Sequence, residues 1–151
     1  MSNLDPAQAA RQSRMSLLAK SEPSRLAALF SALADVPAHT WLRTPEVGAV
    51  MVRGRMGGTG APFNLGEMSV TRCALILPTG EVGHAYVQAR DKDHATRAAL
   101  VDALMQTSRS EEVQTAVLDP LTEEAATAKT ARAAKAAATK VEFFTMVRGE
   151  D

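Results

Sequence analysis

Apolar positions change rhythm several times along the chain, and each change marks an element. Asp5-Pro6 pairs a good N-cap with the residue best suited to the first helical position. It predicts a helix reaching about residue 19. The apolar residues Met15, Leu17 and Leu18 crowd toward its end, so its beginning is loosely held. Ser21 caps a second helix, with Glu22 and Pro23 in its first turn and Leu26, Leu29, Phe30 and Leu33 at helical spacing. The two form a hairpin that packs on a sheet; contact with a partner is the alternative.

A two-residue period then takes over. Residues 38–44 read as a short strand around Trp41 and Leu42, Pro45-Glu46-Val47-Gly48 as a turn, and residues 49–56 as the next strand. Residues 67–77 are apolar on both faces in their second half, the mark of a central strand covered on both sides. Pro78-Thr79-Gly80 turns the chain into a return strand over 81–89. There Gly83, Ala85, Val87 and Ala89 make a smooth face for a helix, while His84, Tyr86, Gln88 and Arg90 point the other way.

Asp91 caps a helix over 92–108 that is apolar nearly all round and therefore buried. A short helix over 111–118 is stopped by Asp119-Pro120. An alanine-rich helix runs from Thr122 to about residue 140, with Glu near its start and Lys and Arg further along, as the helix dipole favours. Alanine favours helix but buries little surface, so this helix stands partly free or lies in another subunit's groove. Phe143 to Val147 reads as a terminal strand. It either completes the protein's own sheet or acts with the helix as a partner-binding arm over about 121–151. The fold class is α+β. It comprises an N-terminal helical hairpin, an antiparallel sheet of about four strands, a buried helix, then the alanine-rich helix and terminal strand, in one domain over residues 1–151.

Two charged residues interrupt this pattern. Arg72 lies in register with Val70 and Ala74. It needs an acid such as Glu67 or Asp102, or a bulge that turns it outward. Asp102, deep in the apolar helix, is a structural acid rather than a catalytic one.

The chain has 17 basic and 17 acidic residues, which argues against non-specific nucleic-acid binding. A hydrophobic share of 46% and a charged share of 23% suit an ordinary globule. Aromatics at 4% leave the core to small and aliphatic side chains. The single cysteine, Cys73, rules out an internal disulfide, fits a reducing compartment and reads as a small buried hydrophobe. No apolar run reaches membrane length, and the polar start lacks a signal-peptide core. The expectation is a cytoplasmic protein with neither membrane nor nucleic-acid partner.

The candidate chemistry gathers at Arg53-Gly54-Arg55-Met56-Gly57-Gly58-Thr59-Gly60. Arg53 and Arg55 share the strand face opposite Val50 and Val52. Glycines permit positive φ and close approach, successive N–H groups can cradle an anion, and arginine offers a planar fork of donors. The reading is a basic loop for an oxyanion or an acidic partner group; a solvated strand face is the bland alternative. His39, His84, His94 and Cys73 have no zinc-site spacing. Gly57-Gly58-Thr59-Gly60 lacks the Lys-Ser/Thr of a P-loop. No Ser-His-Asp ordering or carboxylate pair stands out. The residues alone describe an interaction or anion-binding module.

This loop, continued through Pro62-Phe63-Asn64 to Gly66-Glu67, resembles the signature of the PhnG family, a small subunit of the bacterial carbon–phosphorus lyase core complex. The resemblance returns at residues 83–92 and in the tail from Val141 to Gly149, and so covers nearly the whole chain. It implies an accessory role in a hetero-oligomer with PhnI most directly, and with PhnH and PhnJ. With PhnI, PhnH and PhnL, the implied activity transfers methylphosphonate to the ribose C1′ of ATP. Adenine leaves and ribose 1-methylphosphonate 5-triphosphate forms; PhnJ breaks the carbon–phosphorus bond later. The complex uses MgATP, and the nucleosidase-like chemistry falls to PhnI. By the same resemblance the small subunit has no catalytic residue, metal or cofactor of its own and is an enzyme only as part of the complex. Arg53, Arg55, Gly57, Gly58, Thr59 and Gly60, with His84 and Arg90, become candidate contacts to substrate or to a partner's anionic group. Phe143, Phe144, Met146, Val147 and Arg148 become candidate partner contacts. A stand-alone phosphate or nucleotide binder is the alternative function.

Overall fold

A computed structural model describes residues 5–140. Helix α1 (Pro6–Lys20) begins at the expected Asp5-Pro6 pair, although the Asp5 side chain makes no capping bond. Helix α2 (Pro23–Ser31) is capped by Glu22, whose carboxylate accepts from the Ser24 backbone N–H. Ser21, expected to cap α2, instead closes α1 by donating to the Leu18 carbonyl.

Among the described residues the sheet has three antiparallel strands in the order β1-β2-β3: β1 (Thr40–Arg55), β2 (Pro62–Ile76) and β3 (Val82–Gln88). About four strands were expected before residue 90, besides the terminal one, because Pro45-Glu46-Val47-Gly48 reads as a turn. The chain runs straight through it. The β1–β2 register shifts between Trp41 and Arg43 and again between Arg43 and Glu46. An edge strand at an irregular step needs no ladder donor at every position, so Pro45 is accommodated there. The expected terminal strand over 143–147 lies outside the described residues.

Helix α3 (Lys92–Leu104) packs on one face of the sheet and is buried along most of its length, as its all-round apolar pattern predicts. It ends four residues short of the expected residue 108. Its capping by Asp91 holds: the carboxylate accepts from the His94 backbone N–H at 2.8 Å. Close approach to β3 depends on Gly83. A Cβ there would sit 2.0 Å from the Ala99 carbonyl oxygen and 2.9 Å from the Ala103 methyl. Ala85 and Val87 continue this buried face, whereas Ala89 lies beyond it, exposed and turned out at φ 80°.

The helical hairpin packs on α3 as well as on β3. Leu18 and Leu26 join Leu75, Val101 and Leu104 in the core. Helix α4 (Ser110–Val113) and a π-helical turn (Gln114–Leu118) add Val113, Val117 and Leu118. Helix α5 (Asp119–Ala138) follows without the expected break. The widened turn carries the backbone past Pro120, whose ring would otherwise crowd the carbonyl four residues back. Beyond Leu121, every residue of α5 is exposed.

Candidate functional site

Among the described residues, strand β3 pairs with residues 70–76 of β2, while β1 and β2 stay paired as far as Arg55 and Pro62. Residues 49–55 and 62–69 therefore stand beyond the sheet as a two-stranded ribbon, about 23 Å long at the usual rise per residue.

The glycine-rich loop is the tip of this ribbon. Gly57 and Gly58 have φ of 58° and 83°, in the left-handed region that favours glycine. Gly60 is needed for a different reason: a Cβ there would meet the Met56 carbonyl oxygen at 2.6 Å. The Gly60 N–H donates to that same carbonyl at 2.8 Å, and Arg55 Nη1 donates to the Gly60 carbonyl at 3.1 Å. The tip thus closes on itself.

The ribbon is two-sided. Phe63 pairs with Gly54 and lies over it: a Cβ on Gly54 would be 3.6 Å from the Phe63 ring and 3.9 Å from Leu65 Cβ. Val50, Val52 and Met68 continue that apolar side along the strands. Between Val52 and Arg53 the register shifts, leaving Leu65 as the extra residue, which bends and twists the ribbon toward its tip. Arg53 and Arg55 are exposed on the opposite side with Met51, as the alternation predicts. Thr59 is exposed at the tip.

The other two candidate anion contacts stand apart from the tip. His84 pairs with Ala74 at the far end of β2 from Pro62, about 40 Å along the strand. Arg90 follows the Ala89 turn, with its Nε 3.5 Å from Ser69 Oγ near the base of the ribbon. The eight residues grouped by sequence therefore form no single pocket.

Between tip and His84 lies a feature that sequence reasoning missed. On the sheet face away from α3, Glu46, Arg72 and Tyr86 line up across the three strands. Glu46 Oε1 accepts from Arg43 Nη1 and from Arg72 Nε, each at 2.6 Å. Arg43, and after it Arg72, hold the Glu46 carboxyl below the usual carboxylate range. A hollow of about 270 Å³ beside them is lined by Val50, Val70, Arg72 and Tyr86. Arg72 is thus turned outward with Glu46 as partner, neither buried nor paired with Asp102 as considered above. A strand read through Pro45 would have placed Glu46 opposite Arg72.

Asp102 is fully buried and takes other partners. Its carboxylate accepts from Arg11 Nε and Nη2 at 3.1 and 2.6 Å and from the His84 backbone N–H at 3.0 Å, with Arg14 Nη2 at 3.6 Å. The hydrogen bond to Asp102 raises the Arg11 pKa above its usual value. Arg11 Nη2 also donates to the Val82 carbonyl. The middle of α1 is therefore tied to α3 and β3 by charge, ahead of the apolar residues that crowd its end. The signal was present in the Arg11 and Arg14 spacing, but nothing local named their partner.

Cys73 is buried, its thiol 3.3 Å from the Ala95 carbonyl, and burial pushes its pKa up to about 11. His94 is buried with Nε2 3.0 Å from the Leu18 carbonyl oxygen, and His39 stacks edge-on against Trp41. Among the described residues no three His, Cys, Asp or Glu side chains come together to hold a metal ion, and no helix is long and apolar enough to cross a membrane.

A family model described as phosphonate metabolism protein PhnG matches residues 9–149. The chain belongs to the PhnG family. The match spans the ribbon, the sheet and the described helices from residue 9 of α1 onward, so the likeness noted at the loop extends through most of the chain. A relative from Rhizobium meliloti (strain 1021), named alpha-D-ribose 1-methylphosphonate 5-triphosphate synthase subunit PhnG, is 44% identical over 151 residues, covering 97% of this chain and 94% of that protein.

Proposed function

We propose that this chain is an accessory, non-catalytic subunit of α-D-ribose 1-methylphosphonate 5-triphosphate synthase in phosphonate catabolism. In this reading the complex transfers methylphosphonate to the ribose C1′ of MgATP and releases adenine. PhnI is the most direct partner, PhnH and PhnJ are further members, and the assembly is cytoplasmic. The observation that carries the reading is the near full-length likeness to a relative named as a subunit of that synthase. The chain's reactive groups agree with it. Asp102 is committed to Arg11 and a backbone N–H, and the Cys73 thiol is buried and held protonated.

The test is reconstitution. PhnI, PhnH and PhnL with this chain release adenine from MgATP and methylphosphonate; omitting the chain stops release and adding it back restores it. Adenine release by the purified chain alone would sink the reading. The stand-alone nucleotide binder is the weaker alternative, because Arg55 and the Gly60 N–H are both engaged within the tip. Calorimetry of the isolated chain with MgATP is expected to show no micromolar binding. Phe143, Phe144, Met146, Val147 and Arg148 lie outside the described residues and remain proposed partner contacts. A chain ending at Thr139 that still co-purified fully with PhnI would remove them.

A further inference from the structure

Strand β3 lies at the edge of the described sheet, and its outer edge is guarded over half its length. In this register the odd-numbered residues bond to β2: Ala89 N–H donates to the Ser69 carbonyl and Leu77 N–H to that of Glu81. Even-numbered residues therefore turn their N–H and C=O groups outward. Side chains take these groups at the start of the strand. Arg11 and Gln106 donate to the Val82 carbonyl, and Asp102 accepts from the His84 N–H. The His84 carbonyl and the Tyr86 N–H, next along the edge, have no partner among the described residues.

A cleft of about 420 Å³ opens there, between β3 and α1. Helix α1 is tied at two points along its length, by Arg11 to Asp102 and by the Leu18 carbonyl to His94 Nε2, so the cleft between them is held open. Its lining is mostly apolar, with Met15 from α1, Ala85 and Val87 from β3 and Ala98 from α3. Gln12 and Ser16 border it too, and their side chains make no hydrogen bond among the described residues. An apolar slot with a few convergent polar groups is the usual form of a small-molecule site. Here an acceptor and a donor stand two residues apart on one strand edge. They match a flat ring that carries a donor beside an acceptor, as adenine does along its Watson–Crick edge.

We propose that this cleft binds an adenine ring, with N6–H donating to the His84 carbonyl and N1 accepting from the Tyr86 N–H. The choice of adenine among rings of this pattern rests on the subunit reading above, in which the base enters on ATP and leaves free. An added peptide strand suits the edge less. Arg11, Gln106 and Asp102 already occupy its first half, and α1 stands across the second.

Amide resonances of the isotope-labelled full-length chain, titrated with adenine, AMP or hypoxanthine, test this. Adenine in millimolar amounts is expected to shift the Tyr86 and Ala98 signals. Hypoxanthine, whose N1–H and C6=O reverse the pattern, is expected to bind at least tenfold more weakly. Tyr86→Ala keeps the backbone donor and should keep the preference for adenine. Tyr86→Pro removes that donor at an outward edge position, where proline is tolerated, and should lose the preference. Ser16→Phe fills the cleft and should abolish binding, with circular dichroism confirming that each variant is folded. Shifts with AMP as well as adenine assign the site to the nucleotide, and shifts with adenine alone to the released base. No shift with either, equal binding of hypoxanthine, or unchanged binding by Ser16→Phe overturns the cleft and leaves the subunit reading intact. Selective adenine binding by a chain that the reconstituted synthase does not need would overturn that reading and leave the cleft standing.

Discussion

Asp102 decides how the first helix is held. It is fully buried, and it accepts from α1 through Arg11 and from β3 through the His84 N–H. Removing Asp102 leaves a part-buried guanidinium and a backbone N–H without their acceptor, each at about 1–3 kcal/mol. Asp102→Ala is therefore expected to destabilise the fold by about 3 kcal/mol in denaturant unfolding. Asp102→Asn, which keeps an acceptor for the His84 N–H, should cost less. Cys73 makes a different case. Burial raises its folded pKa from 9.0 to about 11, so the neutral thiol is favoured in the fold. The stability this gives is fully present below pH 9 and is lost as pH rises through about 11. A thiol reagent at pH 8 is expected to modify Cys73 no faster than the chain unfolds. Rapid labelling of fully native protein would contradict the burial.

Elements built from local pattern were legible in the sequence, and elements set by distant partners were not. Helix α3 could be read because Ala95, Ala98, Leu100, Val101 and Leu104 surround its axis, and Gly83 with Ala85 announced the face that receives it. Strand β1 was split in two because Pro45 and Gly48 are turn residues in local terms, whereas pairing with β2 overrides them. The candidate site was half legible. The loop, its glycines and the direction of both arginines followed from alternation. That the strands project past β3 depends on β3 being only seven residues long, which no pattern in residues 49–69 can reveal. The weak docking of α5 was legible from its alanines, and it yields a prediction. Leu121 is its buried residue, and an isolated helix of this length is marginal in water. Amides over 125–138 are expected to exchange at least a hundredfold faster than those of α3 in native-state hydrogen exchange. Equal protection would mean that α5 is held along its whole length.

At the scale of the molecule, most of the described helical packing falls on one side of the sheet, with α1 also lying on β3, where Met15 stands beside Arg72, His84 and Tyr86. Helix α3 covers it, and α1, α2 and α4 cover α3 in turn. The other side carries Arg72, Tyr86 and His84, exposed, and runs on without interruption into the apolar side of the ribbon through Val70 and Met68. A sheet with one face covered by α3 and the other largely open, and a ribbon extending the open one, is asymmetric in the way an assembly component is. Assembly should therefore protect one side only. Hydroxyl-radical labelling of the chain, free and within the reconstituted synthase, reads this out residue by residue. Labelling at Met56, Phe63, Leu65 and Tyr86 is expected to fall at least fivefold on assembly, while Phe30 and Met105 on the helical side keep their free-chain rates. Protection of Phe30 and Met105 with Met56 and Phe63 unchanged would place the interface on the helical hairpin instead. The bare sheet face would then need another explanation, because Arg43 and Arg72 already share Glu46 and the polar half of that face is satisfied without a partner, whereas Phe63 and Leu65 are not.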